Sequence, residues 1–252
     1  MTNNLSEEQN QRYLRNIILP EIGPEGQQRL LNSKILVIGA GGLGSAAIYY
    51  LAAAGVGCIG IADADVVELS NLQRQIIHNF ADVGKSKVQS AAQKVNLLNA
   101  DVQIIKHQLK ADATNLPEIL APYDAVLDAT DNFPSRFVIN QACHAAQKPL
   151  IFAAVKGFAG QVAVFKSWLP QQPCYACFNP NVVGEGFSLP LAEKGILGAV
   201  AGTAACMQAA NAIKEILQIG DSLLGKMVVF DLLRNDFRTV SLKKSAKCVV
   251  CG

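Results

Sequence analysis

The chain has 252 residues, half of them hydrophobic and only 17% charged, which is enough apolar material for one large domain or two small ones and excludes a disordered or fibrous chain. A formal charge of +2, with no basic stripe interleaved with aromatics, speaks against nucleic-acid binding, and Lys243, Lys244 and Lys247 read as a solvated segment. Glu7 and Glu8 stand where a signal peptide carries basic residues, and no apolar core follows before Lys34, so a cytoplasmic location is expected. Seven cysteines in such a compartment point to metal or catalytic roles rather than to disulfides.

Ser6 followed by Gln9 has the capping-box spacing and predicts a helix from about Glu7 to Asn16, with a second short helix from near Pro24 to before Lys34. An alternation then begins: strand Lys34–Gly39, helix Gly44–Ala54, strand Cys58–Asp63, helix Lys85–Asn99, strands Val102–Lys106 and Ala125–Thr130, helix Phe133–Gln147, strand Leu150–Ala153. That order predicts an α/β fold, a doubly wound, mostly parallel Rossmann-like sheet with helices on both faces. The uncharged stretch Ile35–Ala62 is long enough to span a bilayer, but its glycines divide it into strand, turn, helix and strand, so no membrane contact is expected. Beyond about Val155, strand-rich runs at Gly160–Lys166 and Met227–Leu242 flank a long insertion and an Ala-rich helix, Gly198–Leu217, which suggests antiparallel strands extending the sheet. Gln171–Pro173 and Asn179–Pro190 read as loops.

Gly39-Ala40-Gly41-Gly42-Leu43-Gly44 fits GxGxxG, directly after a predicted strand and opening a predicted helix. Gly39 permits the turn, Gly41 lets a phosphate approach the backbone, Gly44 allows close packing, and the helix N-terminus offers unpaired N–H groups to an anion. Asp63 ends the next strand, where a carboxylate accepts from ribose hydroxyls. The motif alone favours an NAD(P)-dependent oxidoreductase. Ser70-Asn71-Leu72-Gln73-Arg74, Lys87 and Thr130-Asp131-Asn132 change the balance, because a triphosphate with a metal needs several cations and a carboxylate.

Cys174-Tyr175-Ala176-Cys177 and Cys248-Val249-Val250-Cys251 form two CxxC pairs, the spacing that turns thiolates towards one tetrahedral ion, with a redox pair as the alternative. Cys58, Cys143 and Cys206, among apolar neighbours, read as buried small hydrophobes.

The run Arg12–Leu19, the glycine loop, Asp63-Ala64-Asp65, Ser70–Gln75, Val83–Lys87 and Asp128–Asn132 together resemble the MoeB/ThiF family, relatives of the ubiquitin-activating enzymes, over about Gln11 to Cys251. The resemblance implies a single adenylyltransferase domain over 1–252: N-terminal helices at 1–33 in a homodimer contact, a nucleotide-binding part at 34–155, and a carrier-binding and zinc part at 156–252. It implies ATP on the loop near Gly42, Asp63 on the ribose, Asn71, Arg74 and Lys87 on phosphates, Mg²⁺ at Asp131, Arg15 reaching into the partner's site, and structural Zn²⁺ on Cys174, Cys177, Cys248 and Cys251. The substrate it implies is a ubiquitin-like sulfur-carrier protein ending in Gly-Gly, either the small subunit of molybdopterin synthase, which is favoured, or the thiazole-pathway carrier. Many members carry a loop cysteine near the position of Leu191; here none stands between Cys177 and Cys206, so sulfur is expected from a separate donor protein. The chain ends at Gly252, and no fused sulfurtransferase domain is expected. An NAD(P) oxidoreductase and a nonenzymatic zinc-containing binding module remain the alternatives.

Overall fold

The computed structural model describes residues 5–179 and 195–252; the position of Leu191 and all but the first residue of the expected loop Asn179–Pro190 lie outside them. Ser6 caps α1 (Glu7–Arg12) with the full capping box, its hydroxyl accepting the Gln9 N–H at 3.1 Å and its own N–H donating to the Gln9 side chain at 3.1 Å. The helix expected to continue to Asn16 breaks at Tyr13, and a separate turn, α2 (Leu14–Ile17), follows. Tyr13 is drawn into the core, 1% exposed, with its hydroxyl accepting from the Asn99 amide at 2.8 Å; this tertiary anchor overrides local helix preference.

After α3 (Gly23–Leu31) come β1 (Lys34–Ile38), α4 (Gly42–Ala54), β2 (Cys58–Ala62), two 3₁₀ turns at Leu69–Asn71 and Phe80–Asp82, α5 (Lys87–Leu98) and β3 (Gln103–His107). Then follow α6 (Leu116–Leu120), β4 (Ala125–Asp128), α7 (Phe133–Ala145), β5 (Leu150–Lys156), β6 (Ala159–Phe165), α8 (Tyr175–Phe178), α9 (Gly198–Leu217), β7 (Lys226–Asp231) and β8 (Asp236–Ser241). The eight strands form one sheet in the order β3-β2-β1-β4-β5-β6-β7-β8, parallel through β5 and antiparallel from β5 to β8. The strand-rich run Met227–Leu242 is a hairpin of β7 and β8: Asn235 takes a left-handed φ of 53° in its turn, and the Asp231 carboxylate accepts the Leu233 N–H at 2.9 Å.

The core lies on both faces of the sheet. Along β1, Ile35 and Val37 join α4, α5 and α9 on one face, and Leu36 and Ile38 join α6 and α7 on the other, the period-two alternation of a strand covered on both sides. Gln208, fully buried on α9, donates to the Asp128 carbonyl at 2.8 Å and the Ile151 carbonyl at 3.0 Å, which ties that helix across β4 and β5. Cys58 and Cys143 are buried as expected, whereas Cys206 is only half-buried. No helix among the described residues is long and apolar enough to cross a membrane.

Candidate functional site

Strand order reverses between β1 and β4, the place where an open α/β sheet leaves a crevice beyond its C-terminal strand ends. There the chain encloses a cleft of about 530 Å³ whose walls come from the loops after β1, β2, β3, β4 and β5 and from the start of α9.

The glycine loop builds its floor. Gly39 has φ +101°, and a Cβ there would stand 2.7 Å from the Ala129 carbonyl oxygen; a Cβ on Gly44 would collide with the Gly39 carbonyl. Gly41, by contrast, has only the Gln75 amide within reach, at 3.7 Å, so the space in front of it is open to a ligand. Loop hydrogen bonding is accounted for group by group: Gly39 N–H donates to Ala62 at 2.8 Å, Ala40 N–H to Asp63 at 2.8 Å, and the Gly41 carbonyl accepts Ser45 N–H at 2.9 Å. The N–H groups of Gly41, Gly42 and Leu43 keep no protein acceptor among the described residues, the arrangement that receives a phosphate at a helix N-terminus.

Asp63 accepts N–H groups on both oxygens, from Ala40 and, at 2.8 Å, from Asp65, which orients its remaining lone pairs into the cleft it lines. Lys87, on the first turn of α5, is buried and extends its ammonium to Asp65 at 2.9 Å. Arg74 donates to the Ser70 carbonyl at 3.0 Å and lies against the loop near Gly42. Asp131 and Asn132 follow β4 on the opposite wall; Asp131 is exposed, and its closest polar contact is the Asn132 amide at 3.4 Å. Asp128 is fully buried, and burial raises its pKa against the opposing pull of Arg136; one oxygen accepts the Thr130 N–H at 2.9 Å and hydroxyl at 2.6 Å, which shapes the turn that presents Asp131.

The cleft thus gathers Gly39, Gly41, Gly42, Asp63, Gln73, Arg74, Lys87, Asp131 and Asn132. Ser70, Asn71, Leu72 and Gly44 do not line it: Asn71 is buried and spends its amide oxygen on the Glu68 N–H at 3.1 Å. Arg15 lies on the exposed N-terminal segment and does not line its own chain's cleft. Residues that the sequence reading left out are Lys110 after β3, Lys156 at the end of β5, Gln75, and Arg136. Arg136 is buried over the rings of Phe133 and Phe152, at 5.7 and 5.6 Å from their centroids, and donates to the Thr130 carbonyl at 2.9 Å. Strand order is the signal that finds Lys110 and Lys156, since both stand at the C-terminal ends of parallel strands.

A second hollow of about 590 Å³ lies at the opposite, N-terminal edge of those strands. Its charges are already engaged: Lys166 pairs with Glu215 at 2.5 Å, and Arg29 donates to the carbonyls of Leu217 and Ile216 at 2.8 and 2.6 Å.

Apart from the cleft, Cys174, Cys177, Cys248 and Cys251 bring their sulfurs within 4.8 Å of one another. The pairs Cys174–Cys248, Cys177–Cys251 and Cys174–Cys177 stand at 3.5, 3.4 and 4.0 Å, and tetrahedral Zn–S bonds require about 3.8 Å between sulfurs. Burial pushes the Cys174 thiol up to about 11, so four thiolates gather here only with a cation among them. The Ser245 N–H, 3.4 Å from the Cys177 sulfur, supplies the outer support such ligands take. The donor set fits zinc and leaves no open position.

Fold and cleft together define a Rossmann-type, phosphate-binding protein that carries a separate Cys₄ cluster. The profile described as "ThiF family" matches residues 13–250. A SAMP-activating enzyme E1 of Haloferax volcanii is 44% identical over 252 residues, covering 100% of this chain and 92% of that protein. A sulfur carrier protein adenylyltransferase of Thermus thermophilus is 40% identical over 250 residues, 98% of this chain and 92% of that protein. An adenylyltransferase and sulfurtransferase MOCS3-2 of Zea mays is 44% identical over 242 residues, and there the match spans only 50% of the relative's length. A crystal structure of Escherichia coli MccB with ATP superposes with a TM-score of 0.83 at 25% identity, over 99% of this chain and 75% of that one. The chain belongs to the ThiF family.

Proposed function

We propose that this chain is an adenylyltransferase that uses ATP to activate the C-terminal glycine carboxylate of a small ubiquitin-like sulfur-carrier protein. The observation that carries the reading is the convergence of three free loop amides with Arg74, Lys87, Lys110, Arg136 and Lys156 around a cleft that also holds Asp63 and Asp131. A dinucleotide needs one pyrophosphate neutralised; this cleft carries charge for a triphosphate and a metal. The adenylyltransferase named in Thermus thermophilus, covered almost end to end, supports the same reading.

The carrier carboxylate, ionised at neutral pH, attacks the α-phosphorus; the bond from that phosphorus to the oxygen bridging to the β-phosphate breaks, and pyrophosphate leaves with the electron pair. No protein nucleophile or general base is required. The loop amides and Arg74 hold the phosphates, Lys87 shifts from Asp65 to a phosphate oxygen, and Asp63 fixes the ribose, so rate comes from positioning and charge neutralisation. Asp131, an exposed carboxylate, is the residue that would hold Mg²⁺, in keeping with that ion's habit of taking one or two carboxylates plus substrate phosphates. Bound there, the ion offsets charge on the leaving pyrophosphate.

The small subunit of molybdopterin synthase is the favoured carrier and the thiazole-pathway carrier the second. With no cysteine between Cys177 and Cys206, a separate protein delivers the sulfur. The enzyme works in the cytoplasm as a homodimer with Arg15 donated across the interface, and zinc in the Cys₄ cluster is structural. Carrier-dependent exchange of labelled pyrophosphate into ATP tests the proposal. Exchange is expected with a Gly-Gly carrier and not without one; no exchange with either carrier would reject it.

A further inference from the structure

We infer that His78 is a positioning residue: its imidazole holds the Ala40 carbonyl and thereby sets the glycine loop with the N–H groups of Gly41, Gly42 and Leu43 facing the nucleotide phosphates. The sequence reading assigned nothing to this histidine. It is 5% exposed, and no atom of it lines the cleft.

Its Nε2 lies 2.9 Å from the Ala40 carbonyl oxygen and its Nδ1 2.8 Å from the Ser90 hydroxyl. A carbonyl only accepts, so Nε2 carries the proton; in the neutral ring, Nδ1 then accepts from Ser90. Burial lowers the pKa of His78, which favours this neutral form. Ser90 is fully buried on α5, and its one hydroxyl proton goes to Nδ1. The ring therefore has a rigid polar backing and no freedom to turn away.

The consequence falls on one peptide. Ala40 is held at both ends, its N–H by Asp63 and its carbonyl by His78. The Ala40 carbonyl lies outside α4, whose first intrahelical acceptor is the Gly41 carbonyl; the imidazole is its partner instead, and the loop is pinned from behind the floor of the cleft. Without the clamp, Ala40 can rotate, and the three amides lose their common aim. A preorganised donor set costs no reorganisation when charge arrives, which is why a residue outside the cleft influences binding within it.

The inference rests on the nucleotide reading of the cleft, so its test includes one measurement that needs no ligand. Amide hydrogen exchange of the full chain is compared among wild type, His78→Ala and His78→Gln, followed by calorimetric titration with Mg-ATP and by KM and kcat for exchange. His78→Ala is expected to speed exchange by about tenfold or more within Gly39–Ser45 only, and to weaken ATP binding by about tenfold, the loss that one buried hydrogen bond of ordinary strength carries. KM for ATP should rise more than kcat falls, and His78→Gln, which retains a donor near the Nε2 position, should recover part of both. Unchanged loop exchange, or unchanged ATP affinity, overturns the inference. So does a loss of protection spread over the whole chain with no rescue by glutamine, which would mark a merely structural residue. If His78→Ala does not fold, Ser90→Ala carries the same readouts, since it removes the backing and leaves the ring. A wild-type chain that binds no ATP would overturn the nucleotide reading, and loop exchange would still decide whether His78 is a clamp.

Discussion

Lys87 shows how a single side chain would be prepared for the proposed reaction. Buried on the first turn of α5, it rests on the exposed carboxylate of Asp65, so its charge is already desolvated while its partner remains in water. Replacing it with alanine removes a preorganised cation from the phosphates, and exchange is expected to fall by roughly 10²–10³-fold, the range for losing one such donor. Asp131→Ala should abolish adenylate formation at saturating Mg²⁺ with a nearly unchanged melting curve, because the side chain is exposed and accepts only the Asn132 amide, at 3.4 Å. Normal exchange in either variant removes that residue from the site. Asp82 works in the opposite sense, as a purely structural carboxylate. Burial opposes its ionisation, but the Lys94 ammonium at 2.7 Å and the Asn79 N–H at 3.0 Å outweigh burial and hold its pKa at about 2, against an ordinary 3.8. A folded pKa below the unfolded one gives stability that is fully present above about pH 4 and lost as pH falls towards 2, about 2 kcal/mol for this shift. Melting curves for wild type and Asp82→Asn should therefore converge between pH 4 and 2; a gap that stays constant across that window would contradict the pairing.

At the scale of elements, what was legible in the sequence is what is encoded locally. The glycine loop with its flanking strand and helix, Asp63 at a strand end and the two CxxC pairs each depend on near neighbours or on a fixed spacing, and the structure brings the loop, Asp63, Arg74, Lys87 and Asp131 to one cleft. Lys110 and Lys156 were not legible because their approach depends on β3 and β5 flanking the crevice, a matter of strand order. Tyr13 was missed for a related reason, since Asn99, its partner, lies 86 residues away. Asn71 illustrates the converse: its motif is visible, yet its side chain is turned to the Glu68 N–H beneath the cleft. The C-terminal segment is the element most exposed to test. Residues Ser245 to Gly252 have little regular structure, and Cys248 and Cys251 reach Cys174 and Cys177 across 74 positions in each pair, so a metal bound at this cluster would contribute folding energy for the end of the chain. Purified protein should hold about one zinc per chain, and Cys174→Ala should lose the metal and lower Tm by roughly 10 °C before it alters the chemistry of protein that remains folded. Undamaged, metal-free protein with the wild-type Tm would reject a structural zinc.

At the scale of the whole molecule, the N-terminal segment is the part that one protomer does not account for. Leu14, Ile18 and Leu19 are 51, 57 and 46% exposed, while Tyr13 beside them is fully buried and the Asn16 amide donates to Gln27 at 3.0 Å, so the segment is anchored to its own chain through Tyr13 and Asn16 and presents these aliphatic side chains outward. Arg15 stands among them, outside its own chain's cleft. The proposed two-fold dimer would explain both features: the aliphatic residues would bury in a self-complementary interface, and the guanidinium would bring a planar fork to the partner's phosphates. The decisive experiment mixes Arg15→Ala with Asp131→Ala, each expected to be inactive alone, under conditions shown to exchange subunits. If Arg15 acts across the interface, each heterodimer contains one site with Asp131 from one chain and Arg15 from the other, and a second site lacking both. Random exchange makes half the dimers mixed, so activity should return towards about a quarter of wild type, by two-fold symmetry alone. If Arg15 serves its own chain, each mixed dimer has one site without Arg15 and one without Asp131. No activity would then return, and the dimeric site would be refuted.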